Sequence, residues 1–171
     1  MKKIGFIGIG LMGLPMAKNL LKAKYELKAF NRTIKKAEPL KEFGAEISQS
    51  IKEVVSNNDI IITMLTDDTS VDQVMKDKSF LDNIKPGSTV IDMSSVKPET
   101  AKFHGENLKS KNVNYLDAPV SGGTVGAEEA TLAIMVGGEQ KVFDDNIDVL
   151  KVMGNPTLVG PLTSGQVSKL A

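Results

Sequence analysis

Short apolar runs alternate along the chain with segments whose apolar residues recur at helical spacing. The run 59–65 (DIIITML) is apolar almost throughout, which is typical of a strand buried on both faces of a sheet. The leucines and methionines around and after Gly13 instead recur as on one face of a helix. The predicted strands are 4–7, 26–30, 45–47, 59–65, 89–93, 113–117, 132–136 and 156–159. The predicted helices begin near Gly13, Asp67 and Ser164, and otherwise span 35–42, 50–56, 98–110 and 139–151.

This alternation predicts an α/β fold with a doubly wound, mainly parallel, Rossmann-type sheet. Segment 118–127 interrupts the pattern and is predicted to be an irregular, glycine-rich loop. Ligands of such sheets bind at the carboxyl ends of the strands, so the residues just past each strand are the candidates for binding and chemistry. These candidates are 8–13, 31–33, 65–66, 94–95 and 121–123.

The turn after the first strand carries glycines at the spacing G-x-G-x-x-G. Gly8 allows a tight turn, Gly10 lets the backbone approach a pyrophosphate, and Gly13 lets the helix lie close on the sheet. The helix N-terminus offers unpaired N–H groups to phosphates. Because a strand precedes the motif and a helix follows it, we predict a dinucleotide site. Its expected contacts in this turn are Gly8, Ile9, Gly10, Leu11, Met12 and Gly13.

The end of the second strand indicates which dinucleotide is preferred. An acidic residue there normally accepts the ribose hydroxyls of NAD, but this chain has Asn31 followed by Arg32 and Thr33. An amide does not repel a 2′-phosphate, and a guanidinium forms bidentate, charge-assisted bonds with one. We therefore expect NADP(H) to be preferred, with NAD(H) use still possible. The alternative interpretation is a simple turn with Arg32 in solvent.

Composition narrows the class of protein. A length of 171 residues suits one domain with a sizeable core. Basic and acidic residues number 21 each, so neither nucleic acid nor a membrane is an expected partner. The chain has no cysteine, signal peptide or membrane-spanning run, and we predict a cytoplasmic protein. No metal site is expected, because the acidic residues from Asp67 to Asp72 suit the start of a helix. The single histidine, His104, is expected on the surface.

Five stretches resemble the β-hydroxyacid dehydrogenases, which include 3-hydroxyisobutyrate dehydrogenase, tartronate semialdehyde reductase and the glyoxylate/succinic semialdehyde reductases. They are GFIGIGLMGLPMAKNL (5–20), IDMSS (91–95), DAPVSGG (117–123), LAIMVGG (132–138) and GPLTSGQVSKL (160–170). The resemblance implies hydride transfer between NADP(H) and a small β-hydroxy acid or aldehyde acid, such as 3-hydroxyisobutyrate, glyoxylate or succinic semialdehyde. NRT at 31–33 is similar to the NADPH-using branch.

The resemblance also assigns roles to individual residues. Lys169 matches the catalytic lysine, which would give a proton to the carbonyl oxygen during reduction. Ser95 matches a cofactor contact near the nicotinamide. The implied substrate-carboxylate site is Ser121, Gly122 and Gly123, and the implied edge of the ribose and adenine site is Leu65 and Thr66.

The chain departs from the family's pattern in two ways. Thr163, Ala130 and Lys24 replace common glycines, and we expect Thr163 to reshape the turn before the catalytic helix. The resemblance implies a C-terminal all-helical domain that closes the site and builds the dimer, and we expect residues 1–171 not to include it. We therefore expect 1–162 to form a dinucleotide-binding domain and 163–171 to begin the interdomain helix of a larger homo-oligomeric enzyme.

Other functions remain open on the sequence alone. A non-catalytic NADP-binding or interaction module is the main alternative, and the missing helical domain favours it, whereas Lys169 and Ser121 argue against it. A methyltransferase would need an acidic residue where Asn31 lies. Imine reductases usually lack a lysine at the position of Lys169.

Overall fold

The computed structural model describes all 171 residues and contains nine strands and eight α-helices. The strands are β1 (Lys3–Ile7), β2 (Glu26–Phe30), β3 (Glu46–Ile47), β4 (Ile60–Thr63), β5 (Thr89–Asp92), β6 (Asn114–Asp117), β7 (Val120–Ser121), β8 (Leu132–Gly137) and β9 (Gly154–Gly160). The helices are α1 (Gly13–Lys22), α2 (Ile51–Val55), α3 (Asp68–Met75), α4 (Lys78–Asn83), α5 (Pro98–Lys109), α6 (Gly123–Glu129), α7 (Gln140–Met153) and α8 (Ser164–Leu170).

All nine strands belong to one sheet. Its first six strands lie in the order β3-β2-β1-β4-β5-β6, and every neighbouring pair among them is parallel. Strand β8 runs antiparallel to β6 and β7 and parallel to β9. The predicted α/β class with a mainly parallel, Rossmann-type sheet is therefore confirmed.

Two hydrophobic clusters cover the two faces of the sheet. In β4, Ile60 and Ile62 belong to the cluster that contains Met16 of α1, whereas Ile61 belongs to the cluster that contains Val71 of α3. All three isoleucines are fully buried. Each contributes about 1.5–3 kcal/mol relative to an exposed side chain. A strand covered by helices on both faces has no polar face, which explains why its sequence is a continuous apolar run.

The predicted helix over 35–42 is wrong. The chain forms two 3₁₀ segments instead, Ile34–Lys36 and Glu38–Phe43. Pro39 has no N–H with which to close an α-helical bond to the carbonyl four positions earlier, so a continuous α-helix through it is disfavoured. The second segment ends at Gly44, which has a φ of 100°.

The predicted irregular loop over 118–127 is also wrong in part. Its first half contributes the short strand β7, and its second half forms most of α6. Gly122 (φ 141°) and Gly123 (φ 63°) adopt positive φ values at the entry to α6. These glycines therefore make a sharp strand-to-helix turn, which is a local conformation rather than an extended irregular segment.

Helix α4 was not predicted. It has only six residues, too few to display a helical period in the sequence. The Asp77 side chain caps it by accepting a bond of 2.7 Å from the Ser79 N–H, and Phe80 anchors it in the core.

The three residues that replace glycines all have positive φ. The values are 73° for Lys24, 59° for Ala130 and 83° for Thr163. The backbone thus keeps a glycine-type conformation at each position. The φ of Thr163 therefore gives no sign that this residue reshapes its turn. For a β-branched residue such as Thr163 this conformation is strained. The strain lies immediately before α8.

No helix of the chain is long and apolar enough to cross a membrane.

Candidate functional site

The glycine turn between β1 and α1 is shaped by close backbone contacts. Gly8 has a φ of 103°, and a Cβ on it would lie 2.1 Å from the Met64 carbonyl oxygen. A Cβ on Gly13 would lie 1.9 Å from the Gly8 carbonyl oxygen. Gly10 differs, because a Cβ there would meet no atom within 4 Å. Gly8 and Gly13 are therefore required by the fold, whereas the space beside Gly10 is left open for a ligand.

The same turn presents unpaired backbone donors. The N–H groups of Gly10, Leu11 and Met12 bond to no group of the chain. Met12 is the N-cap of α1, offers no side-chain cap, and the first turn of this ten-residue helix has no acidic residue. The free N–H groups and the positive end of the helix dipole favour an anion at this point.

Asn31 links the glycine turn to the end of β2. Its Oδ1 accepts a bond of 2.9 Å from the Ile9 N–H, and its Nδ2 donates to the Thr33 carbonyl oxygen at 3.0 Å. Both polar atoms of the amide are thus hydrogen-bonded to the backbone. Arg32 and Thr33 are exposed, and Arg32 has no acidic partner. Arg32 is therefore the group of this loop whose charge is free to meet a phosphate.

A cleft of about 440 Å³, which we term the carboxyl-edge cleft, opens beside these loops. A second hollow of about 630 Å³ adjoins it along α1 and shares Gly10 and Lys36 with it. Lys36 is exposed and was not singled out from the sequence, although it lies in the basic first part of the chain. The predicted cofactor residues that line the carboxyl-edge cleft are Gly8, Gly10, Asn31, Arg32, Thr33, Leu65 and Thr66.

Ser94 and Ser95 follow β5 and differ in their surroundings. Ser94 is fully buried, and its Oγ accepts a bond of 2.8 Å from the Leu65 N–H. Ser95 is exposed at the surface. The loop after β5 is thus tied to the loop after β4 by Ser94, which leaves the Ser95 side chain free for a ligand.

Helix α8 carries Lys169 to the loop that contains Ser121. The Lys169 Nζ donates a bond of 2.8 Å to the carbonyl oxygen of Val120, the residue before Ser121. Ser121, Gly122 and Gly123 are exposed, and a Cβ on Gly123 would meet no atom within 4 Å. The structure therefore brings together the two predicted parts of the substrate site.

The predicted residues form two groups rather than one. Neither Ser95, Ser121 nor Lys169 lines the carboxyl-edge cleft. The cleft gathers the residues predicted for the adenine and phosphate end of a dinucleotide. Of the residues predicted for the nicotinamide and substrate, Ser95 follows β5, Ser121 ends β7, and Lys169 lies on α8, which follows β9.

Residues 3–162 match the protein family described as the NAD binding domain of 6-phosphogluconate dehydrogenase. The chain belongs to this family.

Similar proteins of this family include the 2-hydroxy-3-oxopropionate reductase of Escherichia coli (strain K12), which is 40% identical over 172 residues covering 99% of this chain and 58% of that protein. The NAD-dependent L-serine dehydrogenase of Pseudomonas aeruginosa is 38% identical over 172 residues, which cover 99% of this chain and 58% of that protein. The solved structure of 3-hydroxyisobutyrate dehydrogenase from Mycobacterium tuberculosis with L-serine has a TM-score of 0.95 at 33% identity, covering 99% of this chain and 58% of that one. The resemblance inferred from the motifs is thus confirmed, and the chain spans less than two thirds of the length of these relatives.

Two buried carboxylates lie side by side behind the site in this member of the family. Asp92 and Asp117 are register partners on β5 and β6 and are fully buried. Asp92 Oδ1 accepts bonds from the Thr63 hydroxyl at 2.9 Å and the Ser94 N–H at 3.1 Å. Asp92 Oδ2 has no partner. Burial raises the pKa of Asp92 to about 6, and burial also raises the pKa of Asp117.

The expectation that His104 lies on the surface is wrong. Its side chain is 1% exposed on the inner face of α5, and its Nε2 lies 2.7 Å from Asp72 Oδ1 on α3. Burial lowers the pKa of His104, although Asp72 opposes this shift. The ring joins two helices that pack on the sheet, and a single histidine gives no sequence signal for such a partner 32 positions away.

Proposed function

We propose that the chain is the cofactor-binding part of an oxidoreductase that transfers a hydride between NADP(H) and a small β-hydroxy acid or aldehyde acid. The observation that carries the proposal is the contact between Lys169 and the backbone beside Ser121. It joins a proton donor to a loop with a hydroxyl and exposed backbone groups, which suit a carboxylate. The whole protein's substrate would be of the class that includes glyoxylate, succinic semialdehyde and 3-hydroxyisobutyrate.

The residues of this chain divide the work of such a reaction. Bound NADPH supplies the hydride. Ser121 and the N–H groups after it hold the carboxylate, which fixes the carbonyl carbon. Lys169 then donates a proton to the carbonyl oxygen in reduction and stabilises the alkoxide in oxidation. An ammonium suits both directions because negative charge develops on that oxygen.

The proposed preference for NADP(H) rests on charge at the carboxyl-edge cleft. Arg32 and Lys36 line the cleft without an acidic partner. Asn31 supplies no negative charge to repel a 2′-phosphate. The Pseudomonas aeruginosa relative is named as NAD-dependent, so the relatives do not decide the preference and a direct comparison is needed.

A paired calorimetric titration of the 171-residue chain with NADPH and NADH tests the cofactor part. We expect NADPH to bind about tenfold or more tightly, which corresponds to about 1.4 kcal/mol. Tighter NADH binding would contradict the NADP(H) preference. Binding of neither dinucleotide would overturn the proposed cofactor site.

Turnover tests the chemical part. NADPH oxidation is followed with glyoxylate and with succinic semialdehyde for the unaltered chain, for Lys169→Ala and for the control Lys151→Ala, whose lysine is exposed on α7. Loss of Lys169 should lower turnover by about 10²-fold or more and leave NADPH affinity nearly unchanged. Unchanged turnover would remove Lys169 from the mechanism. NADPH binding without turnover of any aldehyde acid would favour a binding module.

A further inference from the structure

Gln166 clamps the backbone on both sides of Ser95. Its side chain is 1% exposed. The Oε1 atom accepts a bond of 3.1 Å from the Val96 N–H, and the Nε2 atom donates a bond of 2.8 Å to the Ser94 carbonyl oxygen. One amide therefore fixes the two peptide groups between which the Ser95 side chain projects to the surface.

The helix that carries Gln166 is itself held in place. The Gln166 N–H donates to Asp117 Oδ2 at 3.0 Å, and the Thr163 N–H donates to Asp117 Oδ1 at 2.9 Å. Gly165 lies so close to β8 that a Cβ on it would be 2.4 Å from the Met135 carbonyl oxygen. The start of α8 is thus fixed against the sheet, and Gln166 transmits that position to the loop after β5.

Lys169 lies one turn beyond Gln166 on α8. Its Nζ is bonded to the Val120 carbonyl oxygen, beside Ser121. Two successive turns of one short helix therefore contact the loop of Ser95 and the loop of Ser121. Helix α8 therefore connects these two loops through side chains that lie one turn apart.

We propose that Gln166 is a positioning residue for the nicotinamide end of the cofactor, acting through the backbone of Ser95. The inference rests on the proposed function, since it takes Ser95 as a contact of the nicotinamide half. A buried amide suits this task better than an apolar side chain, because its donor and acceptor can be satisfied in only one arrangement of the loop. An apolar residue would fill the same space without fixing the loop.

The test separates the two halves of the dinucleotide. NADPH and adenosine 2′,5′-bisphosphate, which lacks the nicotinamide half, are titrated into the unaltered chain and into Gln166→Met, which keeps the side-chain length. Gln140→Met is the matched control, since Gln140 is exposed on α7 and its side chain bonds only to Asp144. We expect Gln166→Met to lower the affinity for NADPH about tenfold, because two hydrogen bonds that order the loop are lost. The affinity for the bisphosphate should change by less than about twofold.

The bisphosphate also reports whether the variant is folded. If the variant loses affinity equally for both ligands, or for neither, the inference is overturned and the proposed function stays intact. An unaltered chain that binds neither ligand would overturn the proposed function, and the inference with it. If Gln166→Met does not fold, Gln166→Asn takes its place. Its amide is one carbon shorter and cannot reach both partners, so the same selective loss of NADPH affinity is expected.

Discussion

Asn31 Oδ1 accepts a hydrogen bond of 2.9 Å from the Ile9 N–H, and this bond ties the end of β2 to the glycine turn after β1. In dinucleotide-binding folds the residue at the end of this strand normally distinguishes NAD from NADP by its charge; in this chain Asn31 lies there and is also a structural link. Its substitution by alanine and its substitution by aspartate should have different effects, because only the second one introduces a charge.

Asn31→Ala removes the link without adding a charge. We expect the affinities for NADPH and NADH to fall together, each by about 1 kcal/mol, the typical net value of one such bond. Asn31→Asp keeps an acceptor for the Ile9 N–H and adds a carboxylate. Because this charge repels the 2′-phosphate, the affinity for NADPH should fall much more than the affinity for NADH. Paired titrations with NADPH and NADH measure the ratio of the two affinities for each variant. An Asn31→Ala variant with an altered ratio would show that the amide itself reads the 2′-phosphate.

Lys36 is expected to share the recognition of the 2′-phosphate with Arg32. Both residues line the carboxyl-edge cleft, whereas the adjacent Lys35 does not. Lys36→Ala and Arg32→Ala should each narrow the ratio of NADPH to NADH affinity by about three- to tenfold, the range of one exposed charge-assisted contact. Lys35→Ala is the matched control and should leave the ratio unchanged. The ratio should also narrow at high salt, because exposed charges are screened.

Substitution by alanine should affect different properties at two glycines of the same turn, stability at Gly8 and NADPH affinity at Gly10. At Gly8 the φ is positive and a Cβ would lie 2.1 Å from the Met64 carbonyl oxygen, so Gly8→Ala should destabilise the fold by about 2 kcal/mol or more. At Gly10 the added methyl group meets open space, so the thermal unfolding temperature should stay nearly unchanged. NADPH affinity should nevertheless fall, because the methyl group would occupy the ligand's space. A Gly10→Ala variant with unaltered affinity would contradict the predicted approach of the pyrophosphate.

The sequence predicted the elements with strong local patterns, missed short elements and local breaks such as the one at Pro39, and missed the contacts between distant positions. The apolar run of β4 and the glycine spacing of 8–13 are local signals, and both gave the correct elements. The burial of His104 depends on Asp72, which lies 32 positions away. The clamp formed by Gln166 depends on Ser94, which lies 72 positions away. Such pairs are set by the packing of helices on the sheet, and one sequence carries no signal of them.

The buried Asp92 carboxyl should make stability depend on pH. Its pKa is about 6 in the folded chain, because burial disfavours the charged form, against an ordinary value of 3.8. Between about pH 4 and pH 6 the folded chain thus binds more protons at this site than the unfolded chain does. The free energy of unfolding should therefore fall as pH rises through this window, and the loss is complete above it.

Asp92→Asn tests this dependence, since the amide oxygen can still accept from Thr63 and Ser94 and no buried charge forms. We expect the variant to be about 1–3 kcal/mol more stable than the unaltered chain near pH 7.5. Near pH 4 the difference should be small, because Asp92 is then protonated in the folded chain. Urea unfolding at the two pH values measures the difference, with Asp82→Asn, an exposed site on α4, as the control. Equal stability differences at both pH values would show that Asp92 does not titrate in this range, and the Asp117 carboxyl would then be the group to substitute next.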